Sequence, residues 1–195
     1  VPNGLGVAPV GGAYTVNRSV DFEVNGQSAF VRLAPGGTRD AALRSVSARD
    51  VEVLMSLRLS TLPQGSGSFW FYAVVRRTGG GNEYRARVHI VQSGRLRIGI
   101  SRVVAGVERV VVPDIDVPGL SASAGQTIRL HTLVSGSAPT TLRLRAWDAA
   151  GSEPGTWQVS ATDNSAALQA AGWVGFRAYL SGGITNSPTF EVDDY

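Results

Sequence analysis

The chain has 195 residues, of which 43% are hydrophobic, 17% are charged and none is cysteine. This composition excludes disulfides, thiolate metal sites and a cysteine nucleophile, and the length suits one all-β domain. All 18 basic side chains are arginine, and against 15 acids they leave a net charge of only +3, less than a nucleic-acid-binding protein normally carries. Since no run of about 18 apolar residues is present, we expect no membrane insertion.

The N-terminal residues 1–12 are rich in glycine, proline and valine. We predict a linker or N-terminal arm there, followed by a single β-sandwich domain over residues 13–195. The chain opens with VPNGLG and stops in what reads as a strand. We therefore expect it to be a module of a longer or processed protein.

From Tyr14 onward, short segments alternate apolar and polar residues, and turn residues separate them. This period of two predicts two antiparallel sheets packed face to face. The only helix candidates are Thr38–Leu43 and Ser165–Ala171, and both are also consistent with loops. We expect Pro113 to end one of the strands. The predicted strands are Val20–Val24, Ala29–Leu33, Val51–Leu59, Phe69–Arg77, Tyr84–Gln92, Arg95–Arg102, Val107–Val112, Thr127–Ser135, Thr141–Trp147, Trp157–Ala161, Trp173–Leu180 and a last strand ending at Asp193-Asp194-Tyr195.

The C-terminal pattern combines the strand Thr141–Trp147, the turn Gly151–Gly155, the polar turn Asp163-Asn164-Ser165 and the last two strands. This segment resembles the concanavalin A-like, laminin G-like jelly-roll modules that are appended to secreted polysaccharide-active proteins, especially those of actinobacteria. The resemblance is clearest over residues 127–195. It implies a jelly-roll β-sandwich, a secreted location and a non-catalytic carbohydrate-binding or accessory role. The partners it implies are a polysaccharide and a catalytic domain in the same parent protein, and we expect the module to be a monomer.

Strand alternation also predicts a face on which arginines, histidines and aromatic rings lie together. Aromatic rings and forked donors are the groups that hold sugars, and an arginine-rich version favours uronate, sulfate or phosphate substituents. Two alternatives remain: an ordinary polar outer surface, or strands divided between the two sheets, which would scatter the residues. The candidate ligand-binding residues are Trp70, Tyr72, Arg85, Arg87, His89, Arg95, Arg97, Arg129, His131, Arg143 and Arg145.

The C-terminal carboxylates offer two interpretations. Glu191-Val192-Asp193-Asp194 is similar to part of the catalytic strand of laminarinase-type glycoside hydrolases, but the third carboxylate of that motif has no counterpart, so we assign no catalytic residue. In jelly-roll carbohydrate modules, one aspartate of such a pair helps to bind a structural calcium. The resemblance therefore implies calcium at Asp194 or Asp193 with Glu23 or Asp21, and the alternative is surface carboxylates paired with arginine.

Two other functions stay open. One is a structural or adhesive module that packs on a neighbouring domain. The other is a polysaccharide lyase or glycoside hydrolase of the same fold, since the run from Arg85 to His89 superficially resembles a strand motif of alginate lyases.

Overall fold

The computed structural model describes residues 3–193, which form sixteen β-strands and two single turns of 3-10 helix, Ser19–Asp21 and Ala166–Leu168. Within these residues, no helix has the length and apolar character needed to cross a membrane. The strands are β1 (Val7–Ala8), β2 (Gly12–Ala13), β3 (Thr15–Val16), β4 (Phe22–Val24), β5 (Ala29–Arg32), β6 (Thr38–Ala48), β7 (Val51–Leu59), β8 (Ser68–Thr78), β9 (Asn82–Val91), β10 (Arg95–Val104), β11 (Val107–Ser121), β12 (Thr127–Ser135), β13 (Thr140–Asp148), β14 (Val159–Asp163), β15 (Gly172–Leu180) and β16 (Thr189–Asp193).

Fourteen of these strands build two seven-stranded antiparallel sheets. The front sheet has the order β11-β10-β9-β8-β15-β6-β3, and the back sheet has the order β14-β13-β12-β7-β16-β5-β4. Strands β1 and β2 pair only with each other. The predicted fold class, an all-β jelly-roll sandwich, is confirmed.

The core lies between the two sheets. It is built from every second residue of each strand, the set whose side chains point inward; each such alternating set is called a phase of the strand. Three phenylalanine rings hold its centre, where Phe71 lies 5.9 Å from Phe176 and 5.6 Å from Phe190, measured between ring centroids. The apolar phase of β15, with Val174 and Ala178 beside Phe176, points inward, as the alternation favours. The opposite phases of the strands therefore form the two outer faces.

The N-terminal segment lies against the sandwich from residue 3 onward. Leu5 and Ala8 are buried in the core, with 8% and 9% of their surfaces exposed. The backbone N–H of Gly4 also donates to the carbonyl of Phe22 at 3.0 Å. The residues predicted as a linker or arm thus contribute two apolar side chains to the core.

Two local predictions were wrong. Thr38–Leu43, a helix or loop candidate, belongs to β6, because pairing with β15 and β3 satisfies its backbone groups from both sides. The strand expected to end at Pro113 continues as β11 to Ser121. It can do so because β11 is an edge strand of the front sheet, where a residue without an N–H loses no ladder bond on the open side.

One buried arginine joins three loops to the sandwich. Arg76 has no exposed surface and sits at a bulge in β8 with a φ of 49°. Its guanidinium donates to the carbonyls of Arg49, Gly136 and Leu168 and to the hydroxyl of Thr140. Burial lowers the pKa of Arg76, and four acceptors compensate the cation.

Candidate ligand-binding face

The predicted binding residues divide between the two sheets, so the hypothesis of one continuous face was wrong. The strands that carry them have the same alternation, but β8, β9 and β10 belong to the front sheet, whereas β12 and β13 belong to the back sheet. Trp70, Tyr72, Arg85, Arg87, His89, Arg95 and Arg97 lie on the outer face of the front sheet, and Arg129, His131, Arg143 and Arg145 lie on the outer face of the back sheet.

Strand register places the front-sheet residues in rows that cross the strands. Trp70 of β8 lies opposite His89 of β9, which lies opposite Arg97 of β10. In the next row Tyr72 lies opposite Arg87. Because neighbouring strands are about 4.8 Å apart, neighbouring side chains of a row lie within contact distance of each other.

Most arginines of this face are already paired with carboxylates. Arg85 Nε lies 2.5 Å from Glu83 Oε1, and Arg87 Nη2 lies 2.6 Å from Asp114 Oδ1. Arg95, which is exposed, makes a bidentate pair with Asp116 at 2.6 Å. Sequence reasoning missed these acids. The one available signal was the Asp114-Ile115-Asp116 alternation, which places both carboxylates on one face of β11.

The pair between Arg87 and Asp114 depends on a glycine. Gly99 of β10 lies between them, opposite Arg87. A Cβ atom at Gly99 would lie 3.0 Å from Arg87 Nη2 and 2.9 Å from the carbonyl oxygen of Val112, and it would overlap the carboxylate of Asp114. The lack of a side chain therefore lets Arg87 reach across β10 to β11.

A second ionic cluster fills the other end of the face. Asp40 of β6 lies between Arg77 and Arg177, with its carboxylate 2.7 Å from Arg77 Nη1 and 2.8 Å from Arg177 Nε. Arg77 also pairs with Glu83. Burial alone would raise the pKa of Asp40, but the two guanidinium groups outweigh it and hold that pKa below its ordinary value. This cluster could not be predicted from the sequence because its members are far apart along the chain.

His89 is held between an aromatic ring and an arginine. Its ring stacks on Trp70 with the centroids 3.8 Å apart and the planes 6° apart. Burial, and then the charge of Arg97, lowers the pKa of His89 to about 4. The imidazole is therefore neutral near pH 7. Its Nδ1 lies 2.7 Å from Arg97 Nη2, which can only donate, so Nδ1 is the acceptor and Nε2 carries the hydrogen.

Three buried N–H donors of this region have no acceptor. They are Arg87 Nε, His89 Nε2 and Arg97 Nε, and we call these three residues the donor cluster. The other two unpaired buried polar atoms among residues 3–193 belong to Thr132 and Trp173, which lie away from this cluster. An unpaired buried polar group typically costs about 1–3 kcal/mol. Oxygen acceptors of a ligand would satisfy these donors once the side chains that cover them move.

The aromatic rings support this cluster more than they offer a free platform. The imidazole of His89 covers one face of Trp70, and Tyr72 lies parallel to Trp70 at a centroid distance of 6.3 Å. The guanidinium of Arg85 lies 5.3 Å from the ring centroid of Tyr72. Burial, and then the charge of Glu108, raises the pKa of Tyr72 to about 12, so its hydroxyl stays protonated near neutral pH.

The predicted calcium ligands that fall among residues 3–193 are not brought together. Asp21 pairs with Arg18 and Arg39, and Glu23 pairs with Arg32. Asp193 lies 3.4 Å from the hydroxyl of Ser28, and Asp194 lies outside the described residues. Within residues 3–193, no group of three or more histidine and carboxylate side chains is placed to hold a metal ion.

Comparison with known proteins identifies the fold alone. No protein-family profile and no curated protein sequence matches the chain. Among solved structures, the chain is similar to the alginate lyase Aly36B in complex with an alginate trisaccharide, with a TM-score of 0.61, 10% identity and coverage of 93% of this chain and 86% of that one. It is also similar to the carbohydrate-binding module CBM66 from Bacillus subtilis, with a TM-score of 0.59, 12% identity and coverage of 92% and 94%.

A third similar structure is the carbohydrate recognition domain of Emp46p, with a TM-score of 0.57 and 7% identity, covering 93% of this chain and 88% of that one. The three neighbours share the jelly-roll sandwich and differ in what they do.

Proposed function

We propose that this protein is a non-catalytic carbohydrate-binding module that holds an acidic polysaccharide at the donor cluster of the front sheet. The observation that carries the proposal is the set of three buried N–H groups without acceptors on Arg87, His89 and Arg97. All three are donors, so the complementary ligand atoms are oxygens. Sugar hydroxyls, carboxylates and sulfates supply such atoms.

The charge of the cluster favours an acidic ligand. Arg97 makes no ion pair within 4 Å in the part of the chain that the structure describes, although Arg87 has Asp114 as its partner. His89 is neutral and contributes a donor without a charge. Asp116, opposite Arg97 on β11, interacts with its charge only from beyond ion-pair distance. The guanidinium of Arg97 is therefore the one best placed for a uronate or sulfate group, and charge-assisted bonds of this kind are stronger than neutral ones.

The solved neighbours support a glycan as the ligand class. They include a carbohydrate-binding module, a carbohydrate recognition domain and a lyase holding an alginate trisaccharide. We extend the proposal to a monomeric module of a secreted actinobacterial protein, in which it raises the local concentration of a linked catalytic domain on its polysaccharide.

The test is a binding series by calorimetry and affinity electrophoresis. Its ligands are two uronate polymers, alginate and polygalacturonate, the sulfated polymer chondroitin sulfate, and the neutral polymers levan and β-glucan. We expect binding to an acidic polymer, and a loss of about tenfold or more for Arg97→Gln, since a hydrogen bond to a charged group is worth about 1.5–3 kcal/mol. The matched control is Arg143→Gln on the outer face of the back sheet, which should bind as the unmodified protein does.

Three outcomes would change the proposal. Binding to neutral polymers alone would remove the acidic ligand, and binding to none would remove the glycan. Formation of unsaturated sugars or new reducing ends would show a lyase or hydrolase instead of a non-catalytic module. A parallel series with a chelator tests calcium, because loss of binding there would support an ion at Asp193 and Asp194.

One observation favours the structural alternative. An apolar groove of about 570 Å³ lies where β6 turns into β7, and its walls include Val46, Val51 and Leu54, the last of which is 39% exposed. Val10, 82% exposed, lies at its rim. Two results together would favour a packing module. No glycan would bind, and an adjacent domain of the parent protein would associate with the unmodified module but not with Leu54→Asp.

A further inference from the structure

The two sheets meet incompletely at the side of the sandwich where β3 and β4 lie. These are the last strands of the front and back sheets, and they have only two and three residues. The N-terminal segment covers this side. Its backbone is fixed at two points, because the N–H of Gly4 donates to the carbonyl of Phe22 at 3.0 Å and the N–H of Tyr14 donates to the carbonyl of Gly6 at 3.1 Å.

A pocket of about 370 Å³ remains between this segment and the sheets. Its inner wall is the core itself, since Phe176 of β15 and Val192 of β16 line it and are only 1% and 3% exposed. Its outer wall is the N-terminal segment, which contributes Leu5 and Ala8. Small-molecule sites in proteins typically have volumes of about 300–1,000 Å³. The pocket is therefore large enough for a small ligand.

Small side chains keep this space open. Ala29 of β5 has the same inward phase as buried Val31, and its register partners are Val24 of β4 and Val192 of β16. Its methyl group lines the pocket, and Ala8 lines the opposite wall. Protein cores are ordinarily packed without voids of this size, so a larger residue at position 29 would fill the space.

Polar groups line the same pocket beside its apolar walls. The hydroxyl of Ser28, a residue that is 7% exposed, donates to Asp193 Oδ2 at 3.4 Å. The turn that carries Ser28 is held by Asn25, whose Oδ1 accepts from the backbone N–H groups of Gln27 and Ser28 at 3.0 Å each. Burial raises the pKa of Tyr14, another lining residue, to about 12, so its hydroxyl keeps its hydrogen near neutral pH.

The charge of the pocket selects the polar end of a ligand. Of the lining residues that the structure describes, Asp193 is the one charged side chain, and it is acidic. A carboxylate accepts hydrogen bonds and cannot donate them. A hydroxyl or an ammonium group at this position therefore makes a favourable contact, whereas a second carboxylate is repelled.

We propose that this pocket binds a small amphiphile, with its hydrocarbon body between the sheets and its hydroxyl or amino group donating to Asp193. Val7 also favours such a ligand, since it lines the pocket and is 75% exposed. A hydrocarbon body in the mouth would cover this apolar surface, which is favourable in water. The site shares no residue with the donor cluster and does not depend on the proposed glycan function.

The test is a ¹H–¹⁵N NMR titration of the whole chain with 1-hexanol, hexylamine and hexanoate, which share one hydrocarbon length. We expect saturable shifts in the amides of residues 5–8 and 24–29 with the alcohol and the amine. Hexanoate should bind about fivefold more weakly or worse, because like charges about 4 Å apart repel each other even in water. Saturable shifts with none of the probes would overturn the proposal, and equal binding of hexanoate would overturn the assigned polar contact.

One variant and one further measurement locate the probe. Ala29→Leu places a larger side chain in the pocket and should abolish the shifts, with far-ultraviolet circular dichroism showing that it folds. Ala149→Leu, at an exposed alanine after β13, is the matched control and should bind as the unmodified protein does. Independently of any variant, nuclear Overhauser contacts should join the methyl protons of 1-hexanol to the ring of Phe176. Shifts that persist in folded Ala29→Leu, or the absence of these contacts, would refute the assignment.

Discussion

The buried guanidinium of Arg76 offers the sharpest test of how the sandwich holds its loops. Arg76→Met keeps an unbranched stem of similar length but removes the cation and all its donors. The carbonyls of Arg49, Gly136 and Leu168 and the hydroxyl of Thr140 would then lose a donor. Water cannot easily replace it at Thr140 and Leu168, which are buried. Among residues 3–193, no carboxylate lies within hydrogen-bond distance of Arg76, and Asp50 is 3.9 Å away.

The expected cost follows from these four acceptors. Each lost hydrogen bond should cost about 1 kcal/mol. Part of this loss is offset because a buried cation no longer needs to be desolvated. The free energy of unfolding should therefore fall by about 3–4 kcal/mol. For a chain of this length that corresponds to a fall in Tm of roughly 6–16 °C.

The assay is urea unfolding followed by tryptophan fluorescence, with a parallel thermal scan. Arg76→Lys should give an intermediate loss, because one ammonium group cannot reach all four acceptors. Arg109→Met, at an exposed arginine of β11, is the control and should stay within about 0.5 kcal/mol of the unmodified protein. A loss for Arg76→Met no larger than that of the control would refute the idea that Arg76 joins the three loops.

Two further predictions concern the donor cluster. Gly99→Ala should displace Asp114 from Arg87, because the new Cβ would overlap the carboxylate and lie 3.0 Å from Arg87 Nη2; glycan affinity should then fall several-fold in calorimetry while far-ultraviolet circular dichroism stays unchanged, and unaltered affinity would contradict the role of the pair. The pKa of His89, lowered to about 4, means that the fold prefers the neutral imidazole. Stability from this preference is fully present above about pH 6.5 and is lost toward pH 4, by up to about 3 kcal/mol. Urea unfolding of the unmodified protein and His89→Gln should therefore diverge over that range, and parallel curves would contradict the shift.

Much of the fold was predictable because a strand with one buried face has a strict period of two. The phase of β9 was correctly derived from sequence, since Tyr84, Ala86, Val88 and Ile90 all point into the core. The Asn25-Gly26 and Ser93-Gly94 turns likewise lie between paired strands. What the period cannot show is which of two sheets a strand joins. For this reason the alternation predicted a single face for the arginines of β9 and β13, although they lie on opposite sides of the molecule.

One misreading came from local preference. The sequence of β6 includes Ala41-Ala42-Leu43, which favours a helix on propensity, but pairing with β15 on one side and β3 on the other decides its conformation.

Charge composition was insufficient to predict which arginines of the candidate site are paired. It showed that arginines would be frequent on the surface, but only the folded arrangement shows that Asp40, Glu83 and Asp114 neutralise most of those on the front face.

The four outer edges of the two sheets have a consequence for behaviour at high concentration. Three of them end in short strands, β3, β4 and β14, of two, three and five residues. The fourth, β11, has fifteen residues and exposes Val107, Val110 and Ile115, so it could recruit a strand from another molecule. Pro113 and Pro118 each remove an N–H from that edge, and shifts in register interrupt its pairing with β10. A second chain therefore finds no long, regular row of backbone groups on which to add, which protects the sandwich against edge-to-edge aggregation.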